Sequence, residues 1–157
     1  MTIPKRYAKI AADFVQVASV AGISIPLSDI KVKFIPNPRL PPKSLPPGTL
    51  AIYVFMLGER CLKVGKAGRK SGPRFCGQHY GTGLARSSLA KSFVKGQTVI
   101  GLTGLDETNV KAWICQHTSR VHFLIPSKYD VFTLSLLEAF VQCRLRPEFE
   151  GFASQRV

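Results

Sequence analysis

Residues 50–79 read LAIYVFMLGERCLKVGKAGRKSGPRFCGQH. Two apolar runs, Leu50–Met56 and Cys61–Val64, flank a polar break that holds Gly58, the pattern of a β-hairpin. Side chains alternate between the two faces of a strand, so the length of the loop decides which residues meet. A three-residue loop, Leu57-Gly58-Glu59, puts Tyr53 directly opposite Lys63 on one face, whereas a two-residue Gly-Glu loop sends them to opposite faces. The three-residue loop is the expectation. Beyond the hairpin, Gly65–Gly72 is a glycine-rich loop carrying Lys66, Arg69 and Lys70. It lacks the Gly-x-x-x-x-Gly-Lys-Ser/Thr order of a nucleotide-binding loop. Pro73–Tyr80 reads as a short helix with Arg74 and Gln78 one turn apart on one face. A tyrosine, a lysine and an arginine gathered in this way suit a phosphate better than a carbon skeleton.

The charge of the whole chain points the same way. Among 157 residues, Lys and Arg number 22 against 9 Asp and Glu, a formal net charge of +13. A chain this basic and this small is suited to a polyanion, because each cation placed on a phosphate releases a condensed counterion. The loop residues Lys66, Arg69 and Lys70, and Lys91 and Lys95 on a following helix, are the candidates for contacts to a nucleic-acid backbone. With 45% hydrophobic residues the chain can build an ordinary core. No apolar run is long enough for a membrane-spanning helix. Lys5 and Arg6 before IAADFVQVASVAG imitate a signal peptide, but Asp13 and Gln16 interrupt its apolar part. Cys61, Cys76, Cys115 and Cys143 show no disulfide or Cys-x-x-Cys spacing, which fits free thiols in a reducing cytoplasm. Cys76-x-x-His79 is half of a zinc site with no second half at ligand spacing.

Working outward, Ile3, Tyr7, Ile10, Phe14, Val17 and Ala21 recur at helical spacing and Gly22 ends the run. Ile30, Val32 and Phe34 alternate with Lys31 and Lys33, a short half-exposed strand. Six of the thirteen residues Pro36–Gly48 are proline, so this stretch is an extended strap rather than helix or strand. These elements, residues 1–48, stand before a main domain at 49–157. Within that domain Ser87–Lys95 reads as a helix, Gln97–Gly104 as strand or loop, and Asp106 caps a helix that ends near His117. Trp113 belongs with that helix's apolar side, as core more than as a stacking platform. Arg120–Ile125 is a strand stopped by Pro126. Asp130 opens the last helix, which lines Leu134, Leu137, Val141 and Leu145 on one side. Glu138 borders that apolar stripe, where a bare carboxylate is costly. Two readings stand side by side: a bridge to Arg74 or Lys63, or an oxygen ligand for a hydrated divalent cation. The fold class is α/β in the α+β sense, with a small antiparallel sheet of about three strands flanked by helices.

These residues, taken in order, resemble the GIY-YIG nuclease family. The first half-motif appears as Ala51-Ile52-Tyr53, with alanine for the leading glycine. The second appears as Lys63-Val64-Gly65, with lysine for tyrosine, as in restriction-enzyme-like members. Arg74 stands where the family keeps its arginine, and Glu138 where it keeps its metal-binding glutamate. Pro147-Glu148-Phe149-Glu150 is similar to the closing Pro-x-x-Asn, with Glu150 for asparagine. The resemblance spans about Thr49 to Gly151.

The resemblance implies a metal-dependent DNA endonuclease. Water activated by Tyr53 with help from Lys63 attacks phosphorus in line. Lys63 beside Tyr53 is expected to favour the phenolate. Arg74 steadies the phosphate, and one Mg²⁺ or Mn²⁺ sits on Glu138. Gln78 or His79 orients phosphate or water, with Tyr80 a further polar candidate. DNA is the implied partner, with RNA as a second polyanion of the same chemistry. Two alternatives stand beside it: a nucleic-acid-binding module of the same fold without cleavage, and an unrelated basic interaction protein.

Overall fold

A computed structural model describes residues 3–83 and 88–149. Its elements are α1 (Ile3–Val20), β1 (Lys31–Ile35), β2 (Thr49–Leu57), β3 (Arg60–Ala67), α2 (Gly72–Cys76), α3 (Leu89–Gly96), α4 (Val110–His117), β4 (Ser119–Pro126) and α5 (Val131–Leu145). The four strands form one antiparallel sheet in the order β1-β4-β2-β3. The sheet therefore has one strand more than the expected three. The extra one is β1, whose Lys31–Ile35 pair with Leu124–Arg120 of β4. Its exposed lysines keep that edge from pairing with another chain.

Both faces of β2 are covered, which is why Leu50–Leu57 reads as an unbroken apolar run rather than an alternating one. On one face Ile52, Val54, Val121 and Phe123 meet α1 and α5. Tyr7, Ile10, Ala11, Phe14 and Ala18 of α1 are buried there, spaced three and four apart as a helix face requires. Residues on both sides of position 48 thus build the same core. On the other face Ala51, Tyr53, Phe55, Leu62 and Leu124 meet α2, α3 and α4 through Phe75, Phe93 and Ile114. Asp130 caps α5, accepting from Thr133 N at 2.8 Å. Ser88 caps α3, accepting from Lys91 N at 3.1 Å; the expected start at Ser87 lies outside the described residues. Gln97–Ile100 is a 3-10 turn, closed by Gly101 at φ +75°.

The hairpin differs from expectation in an informative way. Leu57 pairs with Arg60, so the turn has two residues, Gly58 and Glu59, with Gly58 at φ +57°. Alone, that turn would put Tyr53 and Lys63 on opposite faces. A β-bulge intervenes: Met56 pairs with Cys61 but Phe55 pairs with Lys63, leaving Leu62 as an extra residue. The bulge restores the shared face and shifts the register by one pair. Lys63 lies opposite Phe55, and the residue opposite Tyr53 is Gly65.

Candidate active site

The Tyr53 ring lies across Gly65. A Cβ on Gly65 would sit 2.5 Å from Tyr53 Cζ and 2.5 Å from its oxygen, so only glycine fits there. The phenol thereby reaches over β3, the edge strand, instead of standing between β-branched neighbours. Phe55 and Phe75 meet the ring edge-on at 6.1 and 6.0 Å.

His79 approaches from above. Pro73–Tyr80 is not the single helix expected from its spacing. α2 ends at Cys76, Gly77 turns the chain at φ −133°, and Gln78–Tyr80 form a 3-10 turn. The break rotates His79 and Tyr80 inward and leaves Gln78 exposed. His79 is buried, and its Nε2 lies 2.5 Å from the Tyr53 hydroxyl. Burial, followed by the charges of Lys63, Arg74 and Arg120, lowers its pKa to about 3, so the imidazole is neutral at ordinary pH. Arg74, exposed on α2, acts on the Tyr53 phenol through its charge. With the imidazole neutral, a phenol that donates to His79 Nε2 leaves the ring proton on Nδ1.

Two expectations need correction here. Tyr53 is not pushed toward phenolate: burial raises its pKa well above the ordinary value, Arg74 and Arg120 offset part of this, and Glu138 adds to it. Lys63 is not directly opposite the phenol but one pair away, opposite Phe55. It is itself buried, and it donates to the Phe149 carbonyl at 3.3 Å. Phe149 is held there because Glu148 N and Phe149 N bond to Cys61 O and Leu62 O, at 3.0 and 2.9 Å, along the edge of β3. Glu150 lies outside the described residues.

Glu138 comes from the other face. Lys66, opposite Ile52, is a β3 residue rather than a loop residue. Its Nζ lies 2.8 Å from Glu138 Oε2 and 3.0 Å from Ser135 Oγ. The partner of Glu138 is thus Lys66, not Arg74 or Lys63. Lys66 and Gly65 are adjacent on the edge strand, so the carboxylate and the phenol meet around that edge, close enough for Glu138 to act on Tyr53. Among the described residues no cluster of three or more ligating side chains occurs. A single carboxylate fits a hydrated Mg²⁺ or Mn²⁺, which takes its remaining ligands from water and phosphate oxygens.

Of the other basic candidates, Arg69 is drawn to the Ser127 carbonyl and Lys70 is exposed beside it. Lys91 and Lys95 belong to α3, partly and fully exposed.

The sequence reading missed Arg120. It lies on β4 opposite Phe55 and is 1% exposed, the largest fully buried side chain in the described residues. No carboxylate pairs with it among them. Instead its guanidinium lies 5.0 Å from the Phe55 and Phe75 ring centres and 5.8 Å from Tyr53. Nη1 donates to the Tyr80 hydroxyl at 3.0 Å and Nη2 to the Phe75 carbonyl at 3.3 Å. Those contacts grip the α2 segment on both sides of the Gly77 break, holding the piece that carries Arg74 and His79. His122, opposite Tyr53 and tilted against Phe75 with ring centres 4.8 Å apart, was missed as well. Burial, then Arg120 and Lys33, lowers its pKa to about 3. Arg120 Nε, His79 Nδ1 and His122 Nε2 are buried without partners among the described residues. A free energy of about 1–3 kcal/mol is forfeited at each such atom, so strain gathers at this one place.

No family model, curated protein or solved structure matches the chain. What the site does has to be argued from its own atoms. Three cations (Lys63, Arg74 and Arg120) and one carboxylate surround a buried phenol and a neutral imidazole, a surplus of positive charge that favours an anion.

Proposed function

We propose that the protein is a metal-dependent nuclease that hydrolyses DNA phosphodiester bonds. The observation that supports this most is the Tyr53 phenol, laid over Gly65 between the His79 acceptor and the Arg74 guanidinium, with Glu138 arriving around the strand edge. As the attacking water loses its proton to the Tyr53 oxygen, the phenol proton moves to His79 Nε2. Tyr53 works as a relay and needs no phenolate, in keeping with its raised pKa. Imidazole is the final acceptor: burial among cations keeps it neutral at rest, and the negative charge that grows on the phosphate offsets those cations as the proton arrives. Arg74 donates to the non-bridging oxygens as negative charge grows on them. Lys63 adds positive charge from beneath and fixes the C-terminal segment along β3. Glu138 would hold the divalent cation, which when bound supplies Lewis-acid neutralisation of the scissile phosphate and departing oxygen.

One observation favours a second reading, a nucleic-acid-binding module without cleavage. Lys66 already neutralises Glu138 at 2.8 Å. Incubating the protein with single-stranded, double-stranded and branched DNA, and with RNA, in Mg²⁺, Mn²⁺ or EDTA separates the two. The nuclease reading expects metal-dependent cleavage that is lost in Glu138→Ala and in Tyr53→Phe. Tight binding without cleavage in either metal would overturn it in favour of the module.

A further inference from the structure

Val131 and Phe132, the first two residues of α5, are 61% and 74% exposed. Among the described residues they are the one sequence-adjacent pair of exposed large hydrophobic side chains, and Phe132 is the one aromatic in that set. Val131 lines a cavity of about 510 Å³ together with Leu50, Arg69, Lys70, Lys128 and Asp130, so three cations face one carboxylate there. Lys128 Nζ sits 5.2 Å from the Tyr129 ring centre and 2.8 Å from Asp29 Oδ2. Val131 is also in line with the candidate active site, with Phe132 on the flank of the same helix turn. Val131, Ser135 and Glu138 fall on one face of α5, and Ser135 and Glu138 are the residues that meet Lys66. From Val131 to Glu138 the helix rises ~10 Å, about three nucleotides at the ~3.4 Å spacing of a stacked strand and fewer where the strand is extended.

A strand whose phosphate lies at Glu138 and Arg74 therefore carries a nearby nucleotide past an exposed aromatic and a cavity that Arg69, Lys70 and Lys128 border. A duplex backbone needs only the cations. An aromatic edge beside them has a partner only where a base is unstacked and shows its face.

We propose that Phe132, Val131 and the cavity beside them bind an unstacked base next to the scissile phosphate, so that the preferred substrate is DNA with an unpaired nucleotide. This rests on the nuclease reading for the path of the strand, but not on cleavage.

The test is binding by fluorescence polarisation in EDTA, where no cutting occurs. The probes are a labelled single strand, the same strand with abasic positions, and its duplex. The full chain is compared with Phe132→Ala and Val131→Ser, both exposed and not expected to disturb folding. The intact protein should bind the base-bearing strand about tenfold more tightly than the abasic one, and Phe132→Ala should erase most of that difference. Duplex affinity and the salt dependence should be unchanged, because no phosphate contact is lost. Base-independent binding by the intact protein, or an equal loss on abasic strands, overturns the proposal. So does a concentration-dependent dimer that Phe132→Ala abolishes, since the pair would then cover a second copy. Base-dependent binding without cleavage in Mg²⁺ would leave this inference standing while the nuclease reading fell.

Discussion

Acid should unfold this protein through two buried histidines. His79 and His122 each titrate near 3 in the folded chain, against 6.5 when free, and burial is the main cause for both. Between those two values the unfolded chain binds the protons and the folded one does not, so stability must fall as pH drops below ~6.5. The stability is fully present above 6.5 and keeps declining until pH reaches about 3. At about pH 5, ~1.5 pH units below the free value, each imidazole withholds ~2 kcal/mol from the native state, and the pair ~4 kcal/mol. Small domains have only ~5–15 kcal/mol in total. The depressed carboxylates act with the same sign, but their ordinary value of 3.8 keeps them ionised in both states above pH 5. Urea unfolding followed by circular dichroism at about pH 7, 6 and 5 measures the slope directly. His122→Asn should remove about half of it, and His79→Gln the other half. A stability independent of pH between 7 and 5, or a loss that survives both replacements, would refute the reasoning. The proposed chemistry carries a corollary: His79 stays largely neutral in the folded protein above about pH 4, so cleavage should fail on the acid side chiefly where the protein unfolds.

Gly65→Ala places a methyl 2.5 Å from the Tyr53 ring; a stability loss of about 1–3 kcal/mol and the disappearance of activity should appear together in thermal melts and cleavage assays. Arg120→Met removes a buried cation that has no carboxylate, so stability should change by less than ~2 kcal/mol. Turnover in Arg120→Met should nonetheless fall roughly 100-fold, as the Phe75–Tyr80 segment loosens; unchanged turnover in a folded variant would show that Arg120 does not position His79. Lys66→Met frees Glu138 from its ammonium, and the Mg²⁺ concentration giving half-maximal cleavage should drop about threefold, the worth of a half-exposed ion pair. An unchanged Mg²⁺ requirement would mean that Glu138 does not hold the metal.

Much of the fold is legible in the chain. Helical spacing marks α1 and α5, Asp130 marks a cap, and the hairpin runs are plain. What escaped depends on which strand lies next to which. Arg120 and His122 alternate with Val121 and Phe123, the signature of a strand with one wet face. β4 is flanked by β1 and β2 instead of an edge, so its polar face turns inward onto aromatic rings. Nothing local announces that placement. The choice between Gln78 and His79 escaped for another reason: the spacing after Arg74 suggests a continuous helix, and one backbone break at Gly77 decides that His79, not Gln78, faces Tyr53. Glu138 was identifiable by its position beside an apolar stripe, but its partner was not, because Lys66 looked like part of a loop. β3 continues through Ala67, with Lys66 facing α5.

The bulge at Leu62 keeps the two halves of the site in phase. It takes up one residue, so that Met56 pairs with Cys61 on one side of it and Phe55 with Lys63 on the other. Remove Leu62 and keep the turn, and a regular ladder carries the same pairs, with Lys63 opposite Phe55, Gly65 opposite Tyr53 and Lys66 opposite Ile52. Keep Leu62 and flatten the bulge, and every side chain beyond it changes face. Val64 would then lie under the Tyr53 ring, and the cation now bound to Glu138 would point into the opposite layer. The bulge thus acts as slack in the strand: it hides one odd residue from the register, so that the loss of a residue is tolerated at Leu62 and nowhere in the regular stretch that follows.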